Sequence, residues 1–278
     1  ATTGIDAATH VINIKQLLAD SQSHLPTKSV FVANRRVCTT NDNRRLSFWT
    51  LESGAPASAD WDLGERNGTG AFLQLLPKRQ VVVMAGWIWP RADLGHGCFV
   101  AFWDLQTRQS IGPKIPLPVE LPSFTIQHTS DESHIAVSRG KEVFVINMDD
   151  FSVSQTTVNS ETDIGSIAIS PDDKSIVVAS DEIYFLSLDD VVRKPGKVDF
   201  GSIRQTQSPI LGASRSGGWD FPSIQFVPGA NEIAVVSDER KIKIFDQANG
   251  KLVRESAVFP DSICFLTITP DGTRFGLT

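Results

Sequence analysis

Nucleophilic serine chemistry needs a sharp Gly-x-Ser-x-Gly elbow with a histidine in reach. The nearest match in this chain, Gly212-Ala-Ser-Arg-Ser-Gly217, is one residue too long and reads as linker. Gly64 to Gly70 scatters its glycines with neither dinucleotide nor phosphate-loop spacing. His10, His24, His96, His128 and His134 include no metal-ligand pair at helical spacing. His128 and His134 flank the turn Thr129 to Ser133 and read as hydrated surface groups. Asp149-Asp150, Asp172-Asp173 and Asp189-Asp190 read as turn residues whose carboxylates accept local backbone hydrogen bonds. Nothing in their spacing forces an acid–base pair. Cys38, Cys98 and Cys264 are odd in number and far apart, so they read as small, partly buried strand residues. A disulfide framework, a zinc site and a bound cofactor are not expected. Asn67-Gly-Thr69 fits a glycosylation triplet of a kind that arises often by chance.

What remains is binding chemistry. Trp87, Trp89, Arg91 and His96 sit in the insertion Gly86 to Gly97, and Arg215 and Trp219 in the Ser-, Gly- and Arg-rich stretch Arg204 to Phe221. Tryptophan and arginine dominate interface energetics, so these six form the candidate partner-binding group. The competing reading is that the tryptophans only pack loops onto the scaffold.

The scaffold that must position them shows best between Ser223 and Val253. Four β-rich runs are separated by Pro228-Gly-Ala-Asn231, Asp238-Glu-Arg240 and Gln247-Ala-Asn-Gly250. Ile224 and Phe226 alternate with polar neighbours, as do Ile242 and Ile244, which is strand periodicity. Turns this short permit only antiparallel neighbours, so the unit is a four-stranded meander. A shift of 57 residues lays Ser166-Ile-Ala-Ile-Ser-Pro171 on Ser223 to Pro228; one of 42 lays Ile224 to Ala230 on Leu266 to Gly272. Looser copies start at Phe124, Phe72 and Val30. Third strands are expected to end at Trp49, Trp103, Ile146, Leu186 and Phe245, spacings that suit one four-stranded propeller blade.

The expected fold is therefore all-β: a β-propeller of four-stranded antiparallel blades, five complete, with partial blade strands at both ends. Blade one is expected to have strands near 29–33, 36–40, 45–51 and 56–61. Blade two runs from Ala71 to Ile111, followed by a stiff link with Pro113, Pro116, Pro118 and Pro122 that does not enter a sheet interior. Blade three spans Ser123 to Val158, blade four Ile164 to Phe200, and blade five Pro222 to Phe259. Ala8 to Ile14 reads as a stray fourth strand and Lys15 to Asp20 as a helical turn. Ile263 to Thr278 supplies a first strand and part of a second. The whole of 1–278 reads as one propeller domain, a piece of a longer protein cut inside a blade at both ends. Strand order places the turns between strands two and three on one rim with the blade links. The insertions at 59–70, 86–97 and 204–221 should crowd there, and functional residues concentrate on loops held by a rigid scaffold.

Pro171-Asp-Asp, Pro270-Asp-Gly272, Ser180-Asp, Ser237-Asp and Phe102-Trp-Asp-Leu105 resemble WD40 repeats, over nearly the whole chain and in degenerate form. Only Trp103-Asp104 is a Trp-Asp at the end of a third strand, and no Gly-His precedes a first strand. The family's buried Asp-His-Ser/Thr-Trp network is not carried over to any blade. The resemblance implies a non-catalytic scaffold for other proteins or peptides, cytoplasmic, with further domains in the full-length protein. The alternative is a propeller hydrolase or lactonase with its site at the central channel. It needs several carboxylates or histidines at the inner ends of first strands, where Ile167, Ile169, Ile224, Phe226, Leu266 and Ile268 stand instead. A quinone-cofactor propeller would show a regular tryptophan in each blade. A net charge of −6 argues against a nucleic-acid surface, and no apolar run approaches the ~20 residues of a membrane span.

Overall fold

A computed structural model describes residues 28–32, 36–41, 45–50, 61–62, 72–88, 97–117, 125–193, 204–205, 223–237, 241–259, 266–268, 272 and 275–277. Sheet one contains β1 (Lys28–Val32), β2 (Arg36–Asn41), β3 (Arg45–Thr50) and β4 (Trp61–Asp62); sheet two contains β5 (Phe72–Leu76), β6 (Val81–Ile88), β7 (Gly97–Asp104) and β8 (Ile115–Leu117). Sheet three is β9 (Thr125–His128), β10 (His134–Arg139), β11 (Glu142–Asn147) and β12 (Val153–Thr157). Sheet four has β13 (Ser166–Ile169), β14 (Ser175–Ala179), β15 (Ile183–Ser187) and β16 (Arg204–Gln205), with one short helix, α1 (Leu188–Arg193), between the last two. Sheet five is β17 (Ser223–Val227), β18 (Glu232–Ser237), β19 (Lys241–Asp246) and β20 (Leu252–Glu255), and a final pair joins β21 (Leu266–Ile268) to β22 (Phe275–Leu277).

Each sheet is a meander of antiparallel neighbours in chain order. The fold is an all-β propeller type, with five complete blades and a partial one among the described residues. Register follows the repeat: Ile167 faces Val178, Ile224 faces Val235 and Leu266 faces Leu277, the same pairing at offsets of 57 and 42. The third strands end at Thr50, Asp104, Asn147, Ser187 and Asp246, each one residue beyond the expected end. The expected strand at 8–14 and turn at 15–20 lie outside the described residues.

The chain divides into two units, Ala1–Pro122 with sheets one and two and Ser123–Thr278 with the rest. Within the second, first strands are neighbours: β9 beside β13, β13 beside β17, β17 beside β21. In the first unit β1 lies beside β5. This is how blades pack side by side.

In sheets three to five the middle strands are buried on both faces, so they are apolar almost throughout rather than in strict alternation. In β14, Ile176 and Val178 join Ala136, Val143 and Val145 of sheet three, whereas Val177 and Ala179 join Ile224, Phe226 and Phe245 of sheet five. Alternate side chains thus serve opposite interfaces. Each fully buried aliphatic contributes roughly 1.5–3 kcal/mol. Val227, Ala234 and Ile244 carry the pattern on to Leu266. In sheet two, Met84, Phe99, Ala101 and Trp103 form a separate cluster. Cys98 is buried in β7, the position expected of a small strand residue.

Three expectations are corrected. Blade two does not end at Ile111: Ile115-Pro116-Leu117 pairs with Val100, Phe99 and Cys98 as its outer strand. Proline is tolerated there because an edge strand leaves one row of N–H positions unpaired, and Pro116 is exposed between buried Ile115 and Leu117. Blade four does not end at Phe200, since its fourth strand is Arg204–Gln205, paired with Phe185 and Tyr184. Asp189 and Asp190 lie in the first turn of α1 rather than in a turn, where carboxylates favour the positive end of the helix. Leu188 and Val191 bury one side of that helix, which packs on β12.

Candidate interaction surface

Hydrogen bonds separate the two rims of the blades in chemical character. On the rim of the one-to-two and three-to-four turns, one backbone bond recurs in sheets two, three, four and five. It runs from Leu105 N to Gln80 O at 2.8 Å, Met148 N to Ser133 O at 2.8 Å, Leu188 N to Lys174 O at 2.9 Å and Gln247 N to Asn231 O at 2.9 Å. The turn after the third strand also repeats. Asp104, Asn147 and Asp246 each accept backbone N–H bonds on their side-chain oxygens, from Gln106 and Thr107, from Asp149 and from Asn249. Four residues later Arg108, Phe151 and Gly250 take φ values of 63°, 59° and 70°. The Trp103-Asp104 pair is therefore a buried aromatic followed by a turn-closing carboxylate, which its backbone bonds hold below the usual range.

The opposite rim carries the two-to-three turns and the blade links, as strand order requires. Between sheets three and four, Val158 N bonds Lys141 O, Ile164 N bonds Gly140 O and Gly165 N bonds Ala179 O. Lys141 Nζ donates to the carbonyls of Ser160 at 2.8 Å and Glu161 at 3.2 Å. The fully buried Ser180 hydroxyl donates to the carbonyls of Thr162 and Asp163. Tyr184 donates its hydroxyl to Asp181 Oδ1 at 3.0 Å. Burial, then that bond and the nearby carboxylates of Asp181, Glu182 and Glu161, push the phenol well above its ordinary range, so it remains a donor. Ser180-Asp181 stands out in the sequence only as part of the repeat, and Lys141 and Tyr184 not at all; serine and lysine acquire such roles only when strands bring turn and link together.

Of the predicted anchors, Trp87 falls on β6, its backbone paired with Cys98, so the strand runs farther into the insertion than expected. Its side chain lies outside the described residues, as do Trp89, Arg91, His96, Arg215 and Trp219. Their segments, 89–96 and 206–222, join a second to a third strand and a fourth to a first. Those are the same two kinds of connection that build the 139–142 and 158–165 rim.

The chemistry-bearing residues that are described serve the turns. Ser133 Oγ lies 2.8 Å from His134 Nδ1 and donates to Asp131 Oδ1 at 2.7 Å. This is no catalytic triad, for the carboxylate takes the serine proton instead of orienting the imidazole. Asp131 also accepts Thr129 Oγ1 at 2.7 Å and Ser133 N at 2.9 Å. The Ser133 backbone bond, followed by the two hydroxyls, lowers its pKa to about 2. Ser130 donates through both N and Oγ to Asp173, tying turn to turn across sheets three and four. On the first strands the hydroxyls are structural: Ser166 Oγ accepts Ile224 N at 3.3 Å, Ser223 Oγ accepts Leu266 N at 3.2 Å, and Thr125 donates to Gly165 O. Among the described residues no three His, Cys, Asp or Glu side chains converge on a metal-sized site, and no helix is long and apolar enough to cross a membrane.

No family model matches the chain. No curated protein matches it either. Its backbone is similar to a chain in the crystal structure of the mitotic checkpoint complex, with a TM-score of 0.66 and 12% identity over 93% of this chain and 72% of that one. At that identity the likeness establishes the fold.

Proposed function

We propose that this chain is a non-catalytic, WD40-like propeller, one domain over 1–278, that binds other proteins or peptides through the link rim. The observation that carries this reading is strand order. The connections 89–96 and 206–222, which hold Trp89, Arg91, Arg215 and Trp219, join a second to a third strand and a fourth to a first, which supports assigning them to the rim opposite the turns that a repeated backbone bond closes in sheets two to five. The structurally similar chain comes from a mitotic checkpoint complex, and its place in an assembly agrees with a binding role here. The net charge of −6 favours protein over nucleic-acid partners.

A propeller hydrolase is less well supported. Of the carboxylates or histidines such a site needs, the first strands β1, β5, β9, β13, β17 and β21 hold no carboxylate and one histidine, His128, and the hydroxyls of Thr125, Ser166 and Ser223 bond the backbone of the next blade or its link. The test is recovery of partner proteins on the immobilised chain. A Trp87→Ala/Trp219→Ala variant is expected to lower recovery at least about fivefold, since removing one interface anchor commonly costs about 1–2 kcal/mol. Undiminished recovery would count against this rim as the contact face.

A further inference from the structure

The turn after β19 holds a chemistry that its counterparts lack. In sheets two, three and five this turn has one build. Arg108 N, Phe151 N and Gly250 N donate to Asp104 O, Asn147 O and Asp246 O at 3.0, 2.9 and 2.8 Å, and all three donor residues have positive φ. The residues before them are Thr107, Asp150 and Asn249. Asp150 Oδ1 accepts Ser152 N at 2.9 Å and Asn249 Oδ1 accepts Lys251 N at 2.8 Å, so both side chains bridge the residue that follows. Of the three turns, that of sheet five alone pairs a carboxamide with a following glycine.

A carboxamide beside glycine can close on its own backbone. Gly250 N attacks Asn249 Cγ, the Cγ–Nδ2 bond breaks, and the amide proton leaves with that nitrogen as ammonia. Water then opens the imide at either carbonyl, giving aspartate or isoaspartate, and no other reactant is needed. Glycine presents no side chain to obstruct the ring, and Asn249 is exposed to water. The Lys251 N–H polarises the carbonyl under attack, as an oxyanion donor does. The nucleophile, however, is engaged: Asp246 O holds Gly250 N, and Asp246 Oδ1 holds Asn249 N at 2.9 Å. Bonds to Asp246 thus restrain the reaction, and local opening of the turn permits it. Isoaspartate lengthens the main chain by one carbon between these two donors, so Asp246 no longer holds both. The turn leads into β20, whose four residues are all exposed and gain little from packing.

We infer that Asn249 is a site of spontaneous deamidation, gated by Asp246, whose isoaspartyl form releases β20 from sheet five. The test ages the folded full chain in mildly alkaline buffer and maps its peptides by mass spectrometry. A gain of about 1 Da is expected at Asn249. It should appear at least about tenfold more slowly than in the same chain held in urea. Asp150, followed by phenylalanine in the equivalent turn, should form no isoaspartate. Asp246→Ala should quicken the folded-state reaction about threefold and leave the rate in urea unchanged, whereas Asp246→Asn, which keeps an acceptor, should match the parent. Asn249→Gln should abolish the gain. Hydrogen exchange at Leu252 to Glu255 should rise about tenfold in the isolated isoaspartyl chain and stay at the parent's level in Asn249→Asp, which separates added charge from added chain length. The inference is overturned if Asn249 gains no mass in the folded chain, if folded and urea rates agree, if Asp246→Ala and Asp246→Asn both react like the parent, or if β20 exchanges alike in the parent, isoaspartyl and Asn249→Asp forms.

Discussion

The residue that best shows how this chain uses polar groups is Asp131. Three donors within one turn hold it ionised, and its pKa of about 2 lies below the ordinary value of 3.8. A depressed carboxylate stabilises the folded state above its unfolded pKa and loses that contribution as pH falls through the folded one. The window is therefore from 3.8 down to about 2. Carboxyl NMR should report a midpoint near the lower value; one near 3.8 would remove the basis for the claim. Asp131→Asn should lower stability at about pH 6, with the difference from the parent shrinking in acid as the Asp131 carboxylate of the parent is protonated. Positive φ offers a second check. Gly250→Ala, at φ 70°, should cost about 1 kcal/mol by the left-handed strain of a Cβ. Arg108→Gly, at φ 63° in the equivalent turn, should be neutral or stabilising. Urea unfolding of the two variants measures both, and equal effects of like sign would contradict the shared turn geometry.

At the scale of the element, the first strands decide how blades attach. Ser166 and Ser223 occupy equivalent positions, and each hydroxyl accepts the N–H at the start of the next blade's first strand. The 57-residue offset aligned the two serines, but their bond lies between sheets and no in-blade pattern could reveal it. Ser166→Ala leaves Ile224 N without that acceptor in a buried setting, so a loss of about 1–3 kcal/mol is expected in urea unfolding. A change within about 0.5 kcal/mol would make the hydroxyl incidental. The outer strands behave differently. Their pairing is short in β4, β8 and β16, where one strand face of hydrogen bonds has no further neighbour in the sheet. That is why proline could occupy β8, and why the strand Arg204–Gln205 was hidden inside what reads as linker: two residues carry no periodicity.

At the scale of the whole molecule, the proposal of a single propeller domain over two units makes its own prediction. Calorimetry should give one cooperative transition, with van't Hoff and calorimetric enthalpies equal. Two resolved transitions would divide the chain at about residue 122 instead. The four-stranded repeat, its antiparallel strand order and the equivalence of positions between repeats were legible in the sequence itself, because a strand buried on both faces repeats its apolar residues and its turn formers at fixed offsets. Ile167, Ile224 and Leu266 are found by that rule and pair as it requires. The tryptophans and arginines of the insertions were legible as types, while their side-chain placement lies outside the described residues. Other properties belong to the tertiary structure alone. Lys141 and Ser180 fasten a link, and Tyr184 is held protonated by burial and its bond to Asp181. The physical reason is range. Periodicity and turn chemistry act over a few residues, whereas a hydroxyl's partner comes from a link or strand 18 to 58 residues away, and only folding brings the two together.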